Sequence, residues 1–163
     1  MNCLNCGAPL SWTPGAAVLH CGFCRSHRPL HIAAELADRV AWLGTTSERT
    51  CPACENPLER AVLDKTPAEA CPVCHGLLIA DEAFALVIRE RRANYNGADV
   101  IPTPLDPTRL AGGVDCPDCQ RPMERHCYGG PGNQIIDTCS PCGLVWLDCG
   151  ELAVIETAAG RRR

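Results

Sequence analysis

A small, mostly β, metal-dominated fold is what this sequence predicts, and three observations predict it. The chain has 163 residues, of which 14 are cysteine. Twelve of these fall in six Cys-x-x-Cys pairs, at 3/6, 21/24, 51/54, 71/74, 116/119 and 139/142. The pairs combine two by two across segments of fourteen, sixteen and nineteen residues, each long enough for a β-hairpin. A two-residue gap lets one tight turn point both sulfurs at a single ion, and two such turns joined by a hairpin close a tetrahedron. The expectation is three tandem four-cysteine zinc ribbons, each followed by a short α-helix. The metal ligands would be Cys3, Cys6, Cys21 and Cys24; Cys51, Cys54, Cys71 and Cys74; and Cys116, Cys119, Cys139 and Cys142, holding three Zn²⁺ per chain.

Each unit carries the same punctuation. Pro9-Leu10, Pro57-Leu58 and Pro122-Met123 follow the first knuckle at one offset and start the first hairpin strand in register. Hairpin tips fall at Thr13-Pro14-Gly15, Asp64-Lys65-Thr66-Pro67 and Gly129–Asn133, where length changes are tolerated. The first unit, 1–44, has the shortest spacer, and a helical pattern follows it over Ile32–Leu43, with Ile32, Leu36, Val40 and Leu43 on one face. Gly44–Thr50 reads as a short polar linker. The second unit, 50–94, ends in a helix over Asp81–Ala93 with Phe84, Val87, Ile88 and Arg91 aligned. Residues 95–114 hold Pro102, Pro104, Pro107 and Gly112-Gly113 and read as an extended tether. The third unit, 115–160, alternates over Met123–Tyr128, returns over Gln134–Thr138, and closes with a helix over Asp148–Ala159. Asp148 and Glu151 have the spacing of a capping box.

The third unit also resembles a known family. Cys116-Pro117-Asp118-Cys119, the hairpin, Cys139-Ser140-Pro141-Cys142-Gly143 and then Trp146-Leu147-Asp148-Cys149-Gly150-Glu151-Leu152 resemble the bacterial zinc-ribbon family named after the transcription factor IIB zinc finger. The second knuckle departs from that pattern, with its proline one place late and Leu144 where a second glycine is usual, but no ligand is lost. Residues Cys51–Ile88 read as a degenerate copy in which Leu78, Ile79 and Ala80 stand for Trp146, Leu147 and Asp148. The resemblance implies, by name, a transcription-related role.

Composition narrows the function classes. The opening Met1-Asn2-Cys3-Leu4-Asn5-Cys6 has neither a basic start nor an apolar core, so it does not read as a signal peptide. A cytoplasmic, reducing compartment is expected, where regular Cys-x-x-Cys pairs bind metal rather than form disulfides. Nothing reads as a bilayer span. The formal charge is −4, and each four-thiolate zinc site adds −2, which brings the loaded chain to about −10. Nucleic-acid binding needs clustered Lys and Arg and is disfavoured by this balance. Aromatics are 4%, too few for a base-stacking platform. A four-thiolate site leaves no open position for a substrate, so no catalytic residue and no small-molecule substrate are expected.

Other residues have ordinary readings. Cys127 and Cys149 read as small, partly buried apolar groups rather than extra ligands. The imidazoles of His20, His27, His31, His75 and His126 read as surface or knuckle residues, with His75 in the left-handed region. Trp146 and Leu147 read as a plug between hairpin and helix, and Arg89–Arg92 as a solvated helix end. The function expected is a non-enzymatic, zinc-binding interaction module that presents its ribbons to a protein partner. A nucleic-acid-binding regulator and a thiol-redox or metal-handling protein stand as alternatives.

Overall fold

The computed structural model describes residues 3, 5–8, 10–11, 18–29 and 38–161. Strands β1 (Leu10–Ser11), β2 (Val18–Cys21) and β3 (His27–Pro29) form a small antiparallel sheet around the first four cysteines. All other described strands join one seven-stranded antiparallel sheet. They are β4 (Val40–Thr50), β5 (Pro57–Leu63), β6 (Thr66–Ala70), β7 (Leu77–Ala80), β8 (Glu124–Cys127), β9 (Ile135–Cys139) and β10 (Leu144–Leu147).

The strand order is β4-β5-β6-β7-β10-β9-β8. Without β4 it is palindromic: the second hairpin and its third strand meet the third hairpin and its third strand edge to edge. The seam is the antiparallel pair β7–β10, with Leu77↔Leu147, Leu78↔Trp146, Ile79↔Val145 and Ala80↔Leu144 opposed. Leu78 and Trp146 each lie four residues past the last tetrad cysteine of their unit, so the pairing runs about a local two-fold centred on them.

Alternation along the strands gives the sheet two apolar faces. On one face Leu63, Leu77, Ile79, Val145 and Leu147 pack with Phe84, Val87, Ile88, Leu152 and Ile155 from two helices. These helices are α1 (Asp81–Asn94) and α2 (Glu151–Thr157). On the other face Leu58, Leu78, Met123, Leu144 and Trp146 pack among the cysteines of the second and third units. Trp146 and Leu147 are both fully buried, but only Leu147 packs against the helices; Trp146 lies among the cysteines on the other face and is not a plug between hairpin and helix.

Several expectations are corrected. The helix over Ile32–Leu43 lies outside the described residues up to position 37, and Val40–Leu43 begins β4 instead. Gly44–Thr50 continues that strand rather than forming a linker. Three threonines, Val40 and Trp42 favour the pleated state, and Gly44 disfavours a helix. β4 takes eleven residues to span the seven of β5, so it is bulged at two places along its length. Such bulges twist an edge away from further pairing.

Residues 95–114 do not hang free. Val100 N–H donates to Thr157 O at 3.0 Å and Val100 O accepts from Ala159 N–H at 3.0 Å. Asn133 donates to Thr103 O, and Arg109, on a 3₁₀ turn over Pro107–Leu110, reaches Glu151 at 3.1 Å. Proline removes donors, but the non-proline residues of the segment keep theirs, and Val100 N–H and the carbonyls of Val100 and Thr103 make these bonds.

The basic run late in α1 is not a solvated end either. Arg89 is exposed, but Arg91 and Arg92 are only 3% and 4% exposed. Arg92 donates to the carbonyls of Ile155, Glu156 and Ala158 at 2.6, 3.3 and 3.0 Å, capping the C-terminal end of α2. The opposite end of α2 is capped by Asp38, whose carboxylate accepts from Gly150 N–H at 2.7 Å and Ala153 N–H at 3.0 Å. Asp148 therefore does not cap this helix. Gly150 occupies the N-cap at φ 86°, and the surviving half of the capping box is Asp148 N–H donating to Glu151 Oε2 at 2.9 Å.

Candidate metal centres

The local chain dictates the knuckles. In five of the six, the first cysteine's N–H donates to the carbonyl five residues on, and its carbonyl accepts from the N–H four residues on. That closure requires a left-handed residue directly after the second cysteine. Gly7, Arg25, Glu55, His75 and Gln120 supply it at φ between 56° and 73°, and Gly143 does so at 61° in the sixth. His75 thus takes the conformation expected of it. The sixth knuckle, with Pro141 displaced, closes through Cys142 N–H to Cys139 O at 3.2 Å and Gly143 N–H to Ser140 O at 3.3 Å.

Hairpins then bring the knuckles together in pairs. Cys3, Cys6, Cys21 and Cys24 form the first tetrad, Cys51, Cys54, Cys71 and Cys74 the second, and Cys116, Cys119, Cys139 and Cys142 the third. Within each, all four sulfurs lie within 4.8 Å of one another. These are the same twelve cysteines that the spacing singles out. Close pairs are Cys3–Cys24 and Cys6–Cys21 at 3.5 Å, Cys51–Cys74 at 3.5 Å, Cys54–Cys71 at 3.4 Å and Cys119–Cys139 at 3.7 Å. A tetrahedron with metal–sulfur bonds of about 2.3 Å has edges of roughly 3.8 Å, so the donor sets fit one ion each. Each tetrad could hold a metal ion.

Electrostatics point the same way. The Ser26 hydroxyl, 3.0 Å from Cys24 Sγ, leads the effects that lower the Cys24 thiol to about 5. The Arg121 amide, then its guanidinium, holds Cys119 down at about 6. Other tetrad thiols move the other way. Cys142 is pushed up to about 12, first by its contact with Cys119, and burial raises Cys51 to about 12. Four sulfurs so close cannot all carry charge together, and a dication removes that conflict.

A pattern among the second neighbours is visible only in the structure. Ser26, Asn56 and Arg121 each stand two residues after a ligand cysteine and each meets that cysteine's sulfur, so every tetrad has at least one side-chain partner. Such contacts orient and tune ligands. A polar residue at that offset is the sequence signal for them.

The tetrads differ in their surroundings. The second and third flank one apolar cluster built on Trp146, Leu78, Leu58 and Met123. Arg49 on β4 also reaches the third unit's first knuckle, with bonds to Asp118 at 2.6 and 2.8 Å. Among the described residues the first tetrad belongs to neither apolar cluster, and Cys6 is exposed. Among the leftover residues, Cys149 is half-buried, whereas Cys127 is exposed on β8 rather than packed as an apolar group. The structure brings neither into a tetrad. His20 and His27 are exposed, their rings 5.0 Å apart, and His126 spans to Thr138 Oγ1 at 3.2 Å. His31 lies outside the described residues.

The class these features define is a mostly β chain with three four-cysteine groups, each suited to hold a metal ion. No helix among the described residues is long and apolar enough to cross a membrane. No family model, no curated protein and no solved structure matches the chain.

Proposed function

We propose that this chain is a zinc protein in which three four-cysteine ribbons serve as structure, and that the resulting surface binds a protein partner. The observation that carries the reading is the closure of the tetrads: twelve cysteines in three groups of four, each within 4.8 Å. Four thiolates favour zinc over harder ions and fill its tetrahedral shell, leaving no position for a substrate. The zinc would supply folding free energy, on the order of 10–16 kcal/mol per site in small zinc peptides. The symmetric seam supports the view of the second and third units as copies of one module, and the third is the unit that resembles the transcription-factor-type zinc ribbon.

A protein partner is favoured over nucleic acid by where the arginines lie. Arg91 and Arg92 are spent on helix capping and buried pairing, which removes the one internal basic cluster from the surface. Leu78 and Leu144, beside the hairpin–helix junctions, are buried at 2% and 7% exposure and do not serve directly as contact residues. Exposed apolar residues include Phe23 in the first tetrad's second knuckle and Trp42 and Leu43 on β4.

The test is affinity capture with the zinc-loaded chain beside fluorescence anisotropy on random and promoter-like duplexes. Expected are a protein retained by the wild type and lost with Phe23→Ser or Trp42→Ser, and no duplex binding tighter than about 10⁻⁵ M at physiological salt. Tight, sequence-selective duplex binding would overturn the protein-partner reading in favour of a nucleic-acid regulator.

A further inference from the structure

The three tetrads share a donor set but not an environment, and the difference bears on what each can do. The second and third are walled by Trp146, Leu78 and Met123, all at 5% exposure or less. The first sits on a sheet whose strands are two, four and three residues long. Cys6 is exposed there, and Phe23, between two of its ligands, is 83% exposed. Cys6 is the one exposed residue among the twelve tetrad cysteines, which makes the first tetrad the most accessible of the three to a solute. The remaining sulfurs of that tetrad are already close: Cys21 Sγ lies 3.5 Å from Cys6 Sγ.

We infer that the first tetrad is an oxidant-releasable zinc site, with Cys6 as the entry sulfur for a hydroperoxide, while the second and third tetrads are permanent structural sites. The inference rests on zinc loading of all three tetrads and is independent of the partner proposed above. The chemistry follows from a thiolate nucleophile and a second thiolate within reach. The Cys6 sulfur attacks one peroxide oxygen, and the O–O bond breaks. One oxygen leaves as hydroxide and is protonated to water, and Cys6 becomes a sulfenic acid. A neighbouring thiolate, Cys21, attacks the Cys6 sulfur, the S–O bond breaks, and the second oxygen leaves as hydroxide, which is also protonated to water. The cysteine pair has lost two electrons, hydrogen peroxide has gained them, and a disulfide has formed. With two of four donors gone, the first tetrad no longer holds its ion. A thiol reductant restores both donors by exchange.

Full-length, zinc-loaded protein is treated with about one equivalent of hydrogen peroxide in the presence of a chromogenic zinc chelator. Native mass spectrometry counts ions before and after, and differential alkylation maps which cysteines have reacted. The starting count should be three. One ion should then leave at least about tenfold faster than the other two. Lost alkylation should be confined to Cys3, Cys6, Cys21 and Cys24, and reductant plus zinc should restore three ions. The double variant Cys127→Ser/Cys149→Ser should release its first ion at the wild-type rate. A starting count of two with the first-tetrad thiols free would overturn both the loading of that site and this inference. With three ions at the start, simultaneous release, first loss from the second or third tetrad, or oxidation at Cys127 or Cys149 without release would overturn the inference alone.

Discussion

At the scale of single residues, packing and burial decide more than residue type announces. Gly76 shows this. A Cβ there would overlap the indole of Trp146, so glycine is required by contact and not by a positive φ. Gly76→Ala should cost about 1–3 kcal/mol through overpacking, read as a fall in Tm. Gly129→Ala, on the open hairpin tip, meets nothing within 4 Å and should leave Tm nearly unchanged. Glu151 gives a second case. It is 4% exposed, and burial, reinforced by the Asp148 carboxylate against the opposing Asp148 amide and Arg109, pushes it up to about 7. A carboxyl whose folded pKa is raised binds more protons folded than unfolded, so its contribution is lost as pH rises from its ordinary range through 7. Between pH 6 and 8 the wild type should therefore lose about 1–2 kcal/mol relative to Glu151→Gln, by denaturant unfolding in excess zinc. A difference that stays flat or grows in favour of the wild type would contradict the assignment.

At the scale of elements, α2 has only seven residues, too short to be stable by itself. It is held by charges from two distant places, Asp38 at its positive end and Arg92 at its negative end, as the helix dipole favours. Asp38→Ala would leave the buried N–H groups of Gly150 and Ala153 without their acceptor, at a cost of about 2–4 kcal/mol. Hydrogen exchange should show those two amides losing protection before the strands do. None of this was legible in the sequence. Local patterns reveal caps only when cap and helix adjoin, and Asp38 lies 112 residues from Gly150. By contrast, the helix at Asp81 and both hairpins of the larger sheet were legible, because apolar spacing and turn residues act locally. Val40–Leu43 misled because four residues shared by a helical pattern are too few to outweigh the β-branched run that follows. The twelve tetrad cysteines were fully legible, since their spacing is itself the geometry of the site.

At the scale of the molecule, the central question is whether the metal sites are independent. A flexible tether over 95–114 would make them so. The structure argues otherwise, because β7 and β10 join the second and third units in one sheet and Trp146 sits between their tetrads, fully buried. Leu78, from the second unit, and Trp146, from the third, face each other across the seam, so each unit supplies part of the other's core. Arg49 and Asp118 add a bond between β4 and the third tetrad's first knuckle. Loss of a ligand in the third tetrad should thus be felt in the second. Cys119→Ser removes one of four donors, and with it most of the metal's contribution to the third unit's folding. As that unit loosens, Trp146 withdraws from the shared cluster and exposes Leu58 and Leu78. Native mass spectrometry across a zinc-chelator titration should show the wild type losing the second and third ions over one range. In Cys119→Ser the ion at the second tetrad should leave at a chelator concentration at least tenfold lower than in the wild type, equivalent to a coupling of about 1.4 kcal/mol or more. The ion at the first tetrad should leave at an unchanged concentration, because among the described residues that site shares no apolar cluster with the other two. Unchanged retention at the second tetrad would mean the seam carries no coupling, and each unit would then have to fold on its own hairpin and metal.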